Sequence, residues 1–302
     1  MNATAMKEIP PPLQMLQLIS GFWVSRCLYV AAKLGIPDLL KNGPKSAEEL
    51  AAATTTHAPS LFRVLRALAA VNLLTQTDDR RFGNTPVSET LRSDMPGSLR
   101  AFTMTELGEE HYPAWGELMH SVRTGEIAFD KAFGEPVWEF FAKHEENAKI
   151  FNNAMSGMTA QAEQALHAAY SFEGIKSIID VGGADGGLIT SILKRNPNMH
   201  GILLDSPQVI EGAKSKITES GVADRCEVLG GDFFQSVPGG ADAIIMKWII
   251  HDWNDEQSIA IMKNCHRALP DNGKLILVEA VVPPGDEMHF AKFIDLNMLV
   301  MT

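Results

Sequence analysis

The chain is 302 residues long, 45% hydrophobic and 21% charged, with a formal net charge of -11. That apolar content can fill two moderate cores and excludes a disordered chain. The acidic balance, with no local basic patch against it, excludes nucleic acid or an anionic membrane as the main partner.

The first 15 residues show no basic segment followed by an apolar core. No apolar run reaches the roughly 18 residues of a membrane span, so no membrane association and a cytoplasmic location are expected. From Leu13 to Leu34, apolar residues recur at helical spacing (Leu16, Ile19, Trp23, Cys27, Val30, Ala31, Leu34) behind Pro10 to Pro12, which predicts an amphipathic helix. Phe22, Trp23 and Leu28 crowd the same helix as Leu16 and Ile19. So small a module can hardly bury them all, and a second copy of the chain is the expected cover.

Ser46 and Glu49 have capping-box spacing ahead of Leu50, and Ser60 is expected to open a second helix carrying Leu61, Val64, Leu65, Leu68 and Val71. Leu73 to Thr77 and Arg80 to Asn84 flank Asp78-Asp79 as a hairpin. Two helices and a hairpin outline a winged helix, a shape that can read DNA. Here the second helix offers only Arg63 and Arg66 among leucines, so the DNA reading fails.

Residues 95–172 read as helical throughout. His111 to Trp115 and Phe129 to Phe141 are placed to line or cover a pocket, although most such aromatics belong to a core. Beyond Phe172, apolar strands at 177–181, 200–204, 226–229, 242–247 and 274–280 alternate with helices, the pattern of an α/β domain with a parallel, doubly wound sheet. Cys27, Cys226 and Cys265 are far apart, without disulfide or zinc spacing, and the nine histidines form no metal-binding pair. The expectation is reduced thiols and metal-independent chemistry.

The chemistry concentrates at strand ends. Ile178-Ile179-Asp180-Val181 runs into Gly182-Gly183-Ala184-Asp185-Gly186-Gly187, a turn whose backbone a ligand can approach closely. Ala184 or Asp185 falls where a dinucleotide fingerprint needs its second glycine, which demotes hydride transfer. Asp205, about twenty residues on, is placed for a ribose diol. A later strand delivers Met246-Lys247-Trp248 and then His251-Asp252-Trp253 to the ligand-binding end of the sheet.

Asp180-Val-Gly-Gly, Leu204-Asp205-Ser-Pro, Gly230-Gly231-Asp232-Phe233, Met246-Lys247-Trp248, His251-Asp252-Trp253 and Leu269-Pro270-Asp-Asn-Gly273-Lys274 together resemble the S-adenosylmethionine-dependent O-methyltransferases of small aromatic hydroxyls, over nearly the whole chain. The resemblance implies a Rossmann-like doubly wound methyltransferase sheet behind an N-terminal helical, winged-helix dimerisation domain. It places that domain at 1–95, a helical connection contributing to the substrate pocket at 96–172, and the cofactor domain at 173–302. It also implies a homodimer, a small aromatic substrate, and S-adenosylmethionine as cofactor with S-adenosylhomocysteine as product.

By the same resemblance His251 is the general base and Glu279 holds its far ring nitrogen. Gly182 and Gly183 admit the amino-acid end of the cofactor, and Asp205 takes the ribose. Asp232 and Phe233 meet the adenine, Lys247 contacts the cofactor, and Phe151, Met155 and Met298 clamp the flat substrate. Ala184 departs from a glycine usual in that loop, a change tolerable if its backbone is not left-handed. The resemblance further implies a Gly-Gly-Lys-Glu-Arg-Thr segment, a second glutamate beside the histidine and two more strands, so the 302 residues read as part of a longer protein. An N-methyltransferase on the same scaffold, or a noncatalytic cofactor-binding regulator, are the alternative functions.

Overall fold

A computed structural model describes residues 9–302 of the chain, and these divide into two compact units, one up to residue 108 and one over 109–302. In the first unit, helix Pro11–Lys33 takes a proline in its first turn, where the missing N–H would have had no partner. Its C-terminal end is buried at Tyr29, Ala31 and Ala32, while Leu16, Ile19, Phe22 and Trp23 are exposed. At 23 residues it is long and apolar enough, by length and composition alone, to cross a membrane. This corrects the expectation that no stretch approaches that length: Arg26 and Lys33 are its only charges, and isolated polar residues hid the run.

The capping box forms as the spacing predicts. Ser46 Oγ accepts the Glu49 N–H at 3.2 Å and Glu49 Oε2 accepts the Ser46 N–H at 2.7 Å, opening helix Ala47–Thr54. The next helix, Ala58–Ala70, begins earlier than expected. Its cap position is His57, Pro59 occupies the first turn, and Ser60 lies inside with Oγ 2.9 Å from His57 Nδ1. Proline's fixed φ suits the first helical turn and outweighs the serine as a start signal. β1 (Leu74–Gln76) and β2 (Phe82–Asn84) pair antiparallel as the hairpin. Leu50, Leu61, Leu65, Leu68 and Phe82 close the core beneath it.

In the second unit the stretch up to Ala169 is not one helical run but separate helices: His111–Gly116, Leu118–Thr124, Ala128–Phe133, Val137–Lys143 and the long Glu145–Ala169. Phe129, Phe140 and Phe141 are core residues, buried together with Val300 and Met301 of the last helix, Phe290–Met301.

The parallel strands follow: β3 (Ser177–Val181), β4 (His200–Asp205), β5 (Cys226–Gly230), β6 (Ala243–Lys247) and β7 (Lys274–Val278), in the spatial order β5-β4-β3-β6-β7. β7 stops two residues short of expectation and is an edge, with Leu277 43% exposed. Ile178, Ile245 and Ile276 look toward helix Gly187–Arg195 on one face. Ile179, Ile244 and Met246 look toward helix Asp255–Ala268 on the other. Strand order reverses between β3 and β6, so a crevice opens at their carboxyl ends.

Candidate active site

β3 hands the chain to the glycine loop at that crevice. Gly182 has φ +70°, and a Cβ there would lie 2.4 Å from Ile249 Cδ1. A Cβ on Gly183 would lie 2.4 Å from Leu203 Cδ1 and 2.6 Å from the Asp180 carboxyl carbon. A side chain at either position would force these neighbours to shift, and at Gly182 it would also be strained by the positive φ. Ala184 has φ +49°, which overturns the condition set for its tolerance: it is left-handed, at a cost of about 1–2 kcal/mol for a residue with a Cβ. Its N–H donates to Asp205 Oδ2 at 2.9 Å, a bond that holds the strained turn. Asp205 Oδ1 accepts the Ser206 N–H at 2.7 Å. Each carboxylate oxygen keeps a second lone pair for a hydroxyl. Burial raises this carboxyl above its ordinary range, against the pull of the Ala184 and Ser206 amides.

The histidine is delivered by a sharp turn. After β6, Trp248 adopts φ +56°, and a single 3₁₀ turn, Ile250–Asp252, presents His251. Glu279, one residue beyond β7, fixes this turn: Oε1 accepts the N–H groups of Ile249 and Ile250 at 3.0 and 2.9 Å. Its Oε2 stands 3.0 Å from His251 Nδ1. On the other side of the ring, Nε2 is 3.5 Å from Asp252 Oδ1. Burial pulls the imidazole down, but the Glu279 hydrogen bond and the Asp252 and Glu279 charges outweigh it and leave His251 above its ordinary value. Burial pushes Asp252 up to about 7 despite the imidazole beside it. A carboxylate thus stands at each ring nitrogen, and the one beside Nε2 is half neutral near pH 7.

Two further groups line this end of the sheet. Lys247 sits with Nζ 4.1 Å from the Trp248 ring centroid. Burial lowers it to about 8, with Asp180, Glu279 and Asp185 opposing. Asp180 is only 1% exposed, and burial raises it to about 7, against Lys247. Among the described residues its Oδ2 has no hydrogen-bond partner. In the sequence Asp180 and Asp252 stand out only as members of their motifs. Their burial, the property that perturbs them, has no signal in one sequence.

A cleft of about 440 Å³ opens alongside, lined among others by Asp205, Asp232, Phe233, Phe234 and Trp253. Asp232 is tied down by the Phe234 N–H at 2.8 Å and Gln235 Nε2 at 3.1 Å. Phe233 and Phe234 meet the Trp253 ring edge-on, with centroids 6.1 and 4.7 Å away. The Trp253 Nε1–H is buried with no partner among the described residues. Ring surface, two carboxylates and an N–H with no partner among the described residues are the kinds of group an adenosine needs.

Phe151 and Met155 lie one turn apart on helix Glu145–Ala169, and Met298 lies on helix Phe290–Met301. Phe151 packs on Trp138 and Phe141 at 5.8 and 4.8 Å between centroids, and belongs to the same cluster as Val300 and Met301. Trp115 Nε1 donates to Asn297 Oδ1 at 2.9 Å, fixing the last helix one residue before Met298. The three half-buried side chains are thus on two helices that share one aromatic core.

A doubly wound parallel sheet with a glycine loop, an aspartate and a histidine at its switch point has the architecture of a Rossmann-like ligand-binding domain. Residues 115–302 match the model of the O-methyltransferase domain and residues 16–94 that of the O-methyltransferase dimerisation domain, and the chain belongs to this O-methyltransferase family. It is 46% identical to the phenazine O-methyltransferase PhzM of Lysobacter antibioticus, over 97% of this chain and 86% of the relative. The crystal structure of LaPhzM superposes with a TM-score of 0.93 at 46% identity, covering 97% and 88% of the two chains. The neocarzinostatin-biosynthesis O-methyltransferase NcsB1, solved with S-adenosylmethionine and 2-hydroxy-5-methyl naphthoic acid, gives 0.79 at 30% identity over 92% and 84%. The chain is an S-adenosylmethionine-dependent O-methyltransferase.

Proposed function

We propose that this enzyme methylates a ring hydroxyl of a planar, fused aromatic molecule of the hydroxyphenazine kind, with His251 as general base. The observation that carries the reading is the His251 ring at the carboxyl end of β6, with Glu279 Oε2 3.0 Å from Nδ1 and Asp252 Oδ1 3.5 Å from Nε2. The similarity to a phenazine O-methyltransferase supports the substrate class, and the thioether and aromatic surfaces of Phe151, Met155 and Met298 suit a flat ring.

When bound, S-adenosylmethionine supplies an electrophilic methyl group on a sulfonium. The chain's own part is to hold that group and the hydroxyl in line and to remove one proton. Gly182, Gly183, Asp205, Asp232, Phe233 and Lys247 make the cofactor site in this reading. A phenol at pKa about 10 and an imidazole near 6.5 leave full prior deprotonation uphill by roughly 5 kcal/mol. Glu279 and Asp252, by favouring the imidazolium, narrow that gap as the proton moves to Nε2. We also place residues 96–172 as the helical wall of the substrate pocket. The dimerisation-domain match and the exposed Leu16, Ile19, Phe22 and Trp23 support a homodimer. The three free cysteines suit the cytoplasm.

The test is methylation of hydroxyphenazines and hydroxynaphthoates by the wild type and His251→Ala, with product followed by mass spectrometry. His251→Ala is expected to lose about 100-fold or more in kcat while S-adenosylhomocysteine still binds. Unchanged turnover would sink the base assignment. Turnover of the naphthoates alone would sink the phenazine-type substrate.

A further inference from the structure

The mechanism leaves one carboxylate of the glycine loop without a role. Asp185 lies three residues beyond Gly182, and three elements converge on it. Ser156 Oγ, from helix Glu145–Ala169, donates to Oδ2, and so does Lys216 Nζ from helix Pro207–Glu219. The Gly187 N–H, opening helix Gly187–Arg195, donates to Oδ1 at 3.0 Å. The Lys216 side chain is 53% exposed and that of Asp185 only 18%, so the tie to Ser156 is the sheltered one.

Ser156 is the next residue after Met155 and one turn beyond Asn152, whose carbonyl lies 2.8 Å from the same hydroxyl. A serine hydroxyl has a single proton. It can point back into its own helix, toward Asn152, or across to Asp185, and cannot donate fully to both. The first choice leaves the helix independent of the glycine loop. The second binds the two together.

We propose that Asp185 is a positioning residue which, through the Ser156 hydroxyl, couples the glycine loop to the helix bearing Phe151 and Met155. Filling the loop then also steadies the wall against which the substrate lies. The proposal rests on the reading above, in which that loop holds the cofactor and that helix faces the substrate. Asp185 is given no contact with either reactant in this reading. It acts by fixing the distance between the two walls that hold them, the alignment on which an in-line transfer depends.

The experiment is hydrogen exchange of the full chain with and without S-adenosylhomocysteine, read on peptides 151–159 and 182–190. In the wild type both peptides are expected to slow, 151–159 by about fivefold or more, the low end of ordinary site-to-site coupling. In Ser156→Ala, 182–190 still slows but 151–159 no longer responds. Ser156→Thr, which keeps a hydroxyl, restores the response. Asp185→Ala removes the acceptor instead of the donor, together with the bonds from Gly187 and Lys216, and likewise leaves 151–159 without a response. In turnover, Ser156→Ala lowers kcat while the KM for S-adenosylmethionine stays within about twofold, because alignment is lost and cofactor contacts are not.

A wild-type footprint on 182–190 with no response at 151–159 would overturn the coupling alone. An undiminished response in Ser156→Ala would do the same, as would loss of S-adenosylhomocysteine binding in that variant, which would make the hydroxyl a cofactor contact. Absence of any footprint on 182–190 in the wild type would overturn the cofactor placement along with the proposal.

Discussion

Replacing Glu279 by glutamine is the sharpest perturbation of this site, because it keeps the side chain's shape while removing its charge and one acceptor oxygen. Glu279 Oε1 accepts two backbone N–H groups, from Ile249 and Ile250 at 3.0 and 2.9 Å. A glutamine carbonyl can still accept both, though less strongly than a carboxylate, so the turn carrying His251 is expected to stay in place. The amide nitrogen then falls where Oε2 stood, 3.0 Å from His251 Nδ1. An NH₂ group can only donate there, so Nδ1 must become the acceptor and the ring proton moves to Nε2. The nitrogen facing the substrate hydroxyl is then a donor and cannot act as a base, the same logic that governs the carboxylate of a serine-protease triad.

General-base catalysis contributes about 10²–10⁴-fold, or roughly 3–5 kcal/mol of barrier, and Glu279→Gln should lose most of it in kcat. The assay is single-turnover methylation with cofactor in excess, beside a calorimetric titration with S-adenosylhomocysteine. Affinity for that product should stay within about threefold, since the loop and Asp205 are untouched. A kcat within about threefold of wild type would refute the tautomer argument. A parallel collapse of cofactor affinity would refute the claim that the turn survives.

The same carboxylate predicts a pH dependence. His251 sits above its ordinary value and must be neutral to take a proton, so kcat/KM should fall on acidification with a midpoint above about 6.5. Glu279→Gln should shift the residual limb to lower pH, and an unshifted limb would dissociate it from His251. The linked stability runs the opposite way. A raised histidine pKa stabilises the fold fully below the unfolded value and loses that contribution as pH rises through the folded one.

For the buried Asp180, the rise from 3.8 to about 7 makes the fold lose on the order of 4 kcal/mol between about pH 4 and pH 7. Asp180→Asn should gain stability relative to wild type across that interval in urea titrations, partly offset by the lost counter-charge for Lys247. A constant difference across pH would argue against the buried, protonated carboxyl. Finally, Ala184→Gly relieves a left-handed alanine at φ +49°. Against the glycine's greater unfolded-state entropy, the net gain should be about 0.5–1 kcal/mol, and a drop in melting temperature would contradict the strain.

Much of this site was legible because strand ends are. Period and β-branched runs located all five parallel strands, and the residue following an apolar strand is by construction at the ligand-binding rim. That logic reached Gly182, Asp205, His251 and Glu279. What stayed hidden depends on distance in space. Ser60 looked like a helix start until Pro59 fixed the backbone one residue earlier, a competition between two valid start signals. Ala184 gave no hint of its positive φ, because the Asp205 carboxylate that holds it there is 21 residues away. Asp252 reads as a polar neighbour of His251, and only burial makes it half neutral near pH 7. The convergence on Asp185 joins residues 29 and 31 positions apart, a separation at which no local pattern operates. The aromatics from Phe129 to Phe141 were anticipated as pocket or core, and packing made Phe129, Phe140 and Phe141 core.

The closeness of Gly182 to Ile249 makes damage in one half of the site register in the other. A side chain at Gly182 would have to displace the Ile249 side chain, 2.4 Å away, and the amide of that isoleucine is one of the two that Glu279 grips. If the Ile249 backbone shifts with its side chain, the turn on which His251 rides loosens. A dead variant in the glycine loop would therefore give a misleading diagnosis if scored by turnover alone: an injury to ligand capture and an injury to proton removal would look alike. Only separate readings of affinity and of the acid limb would tell which half had failed.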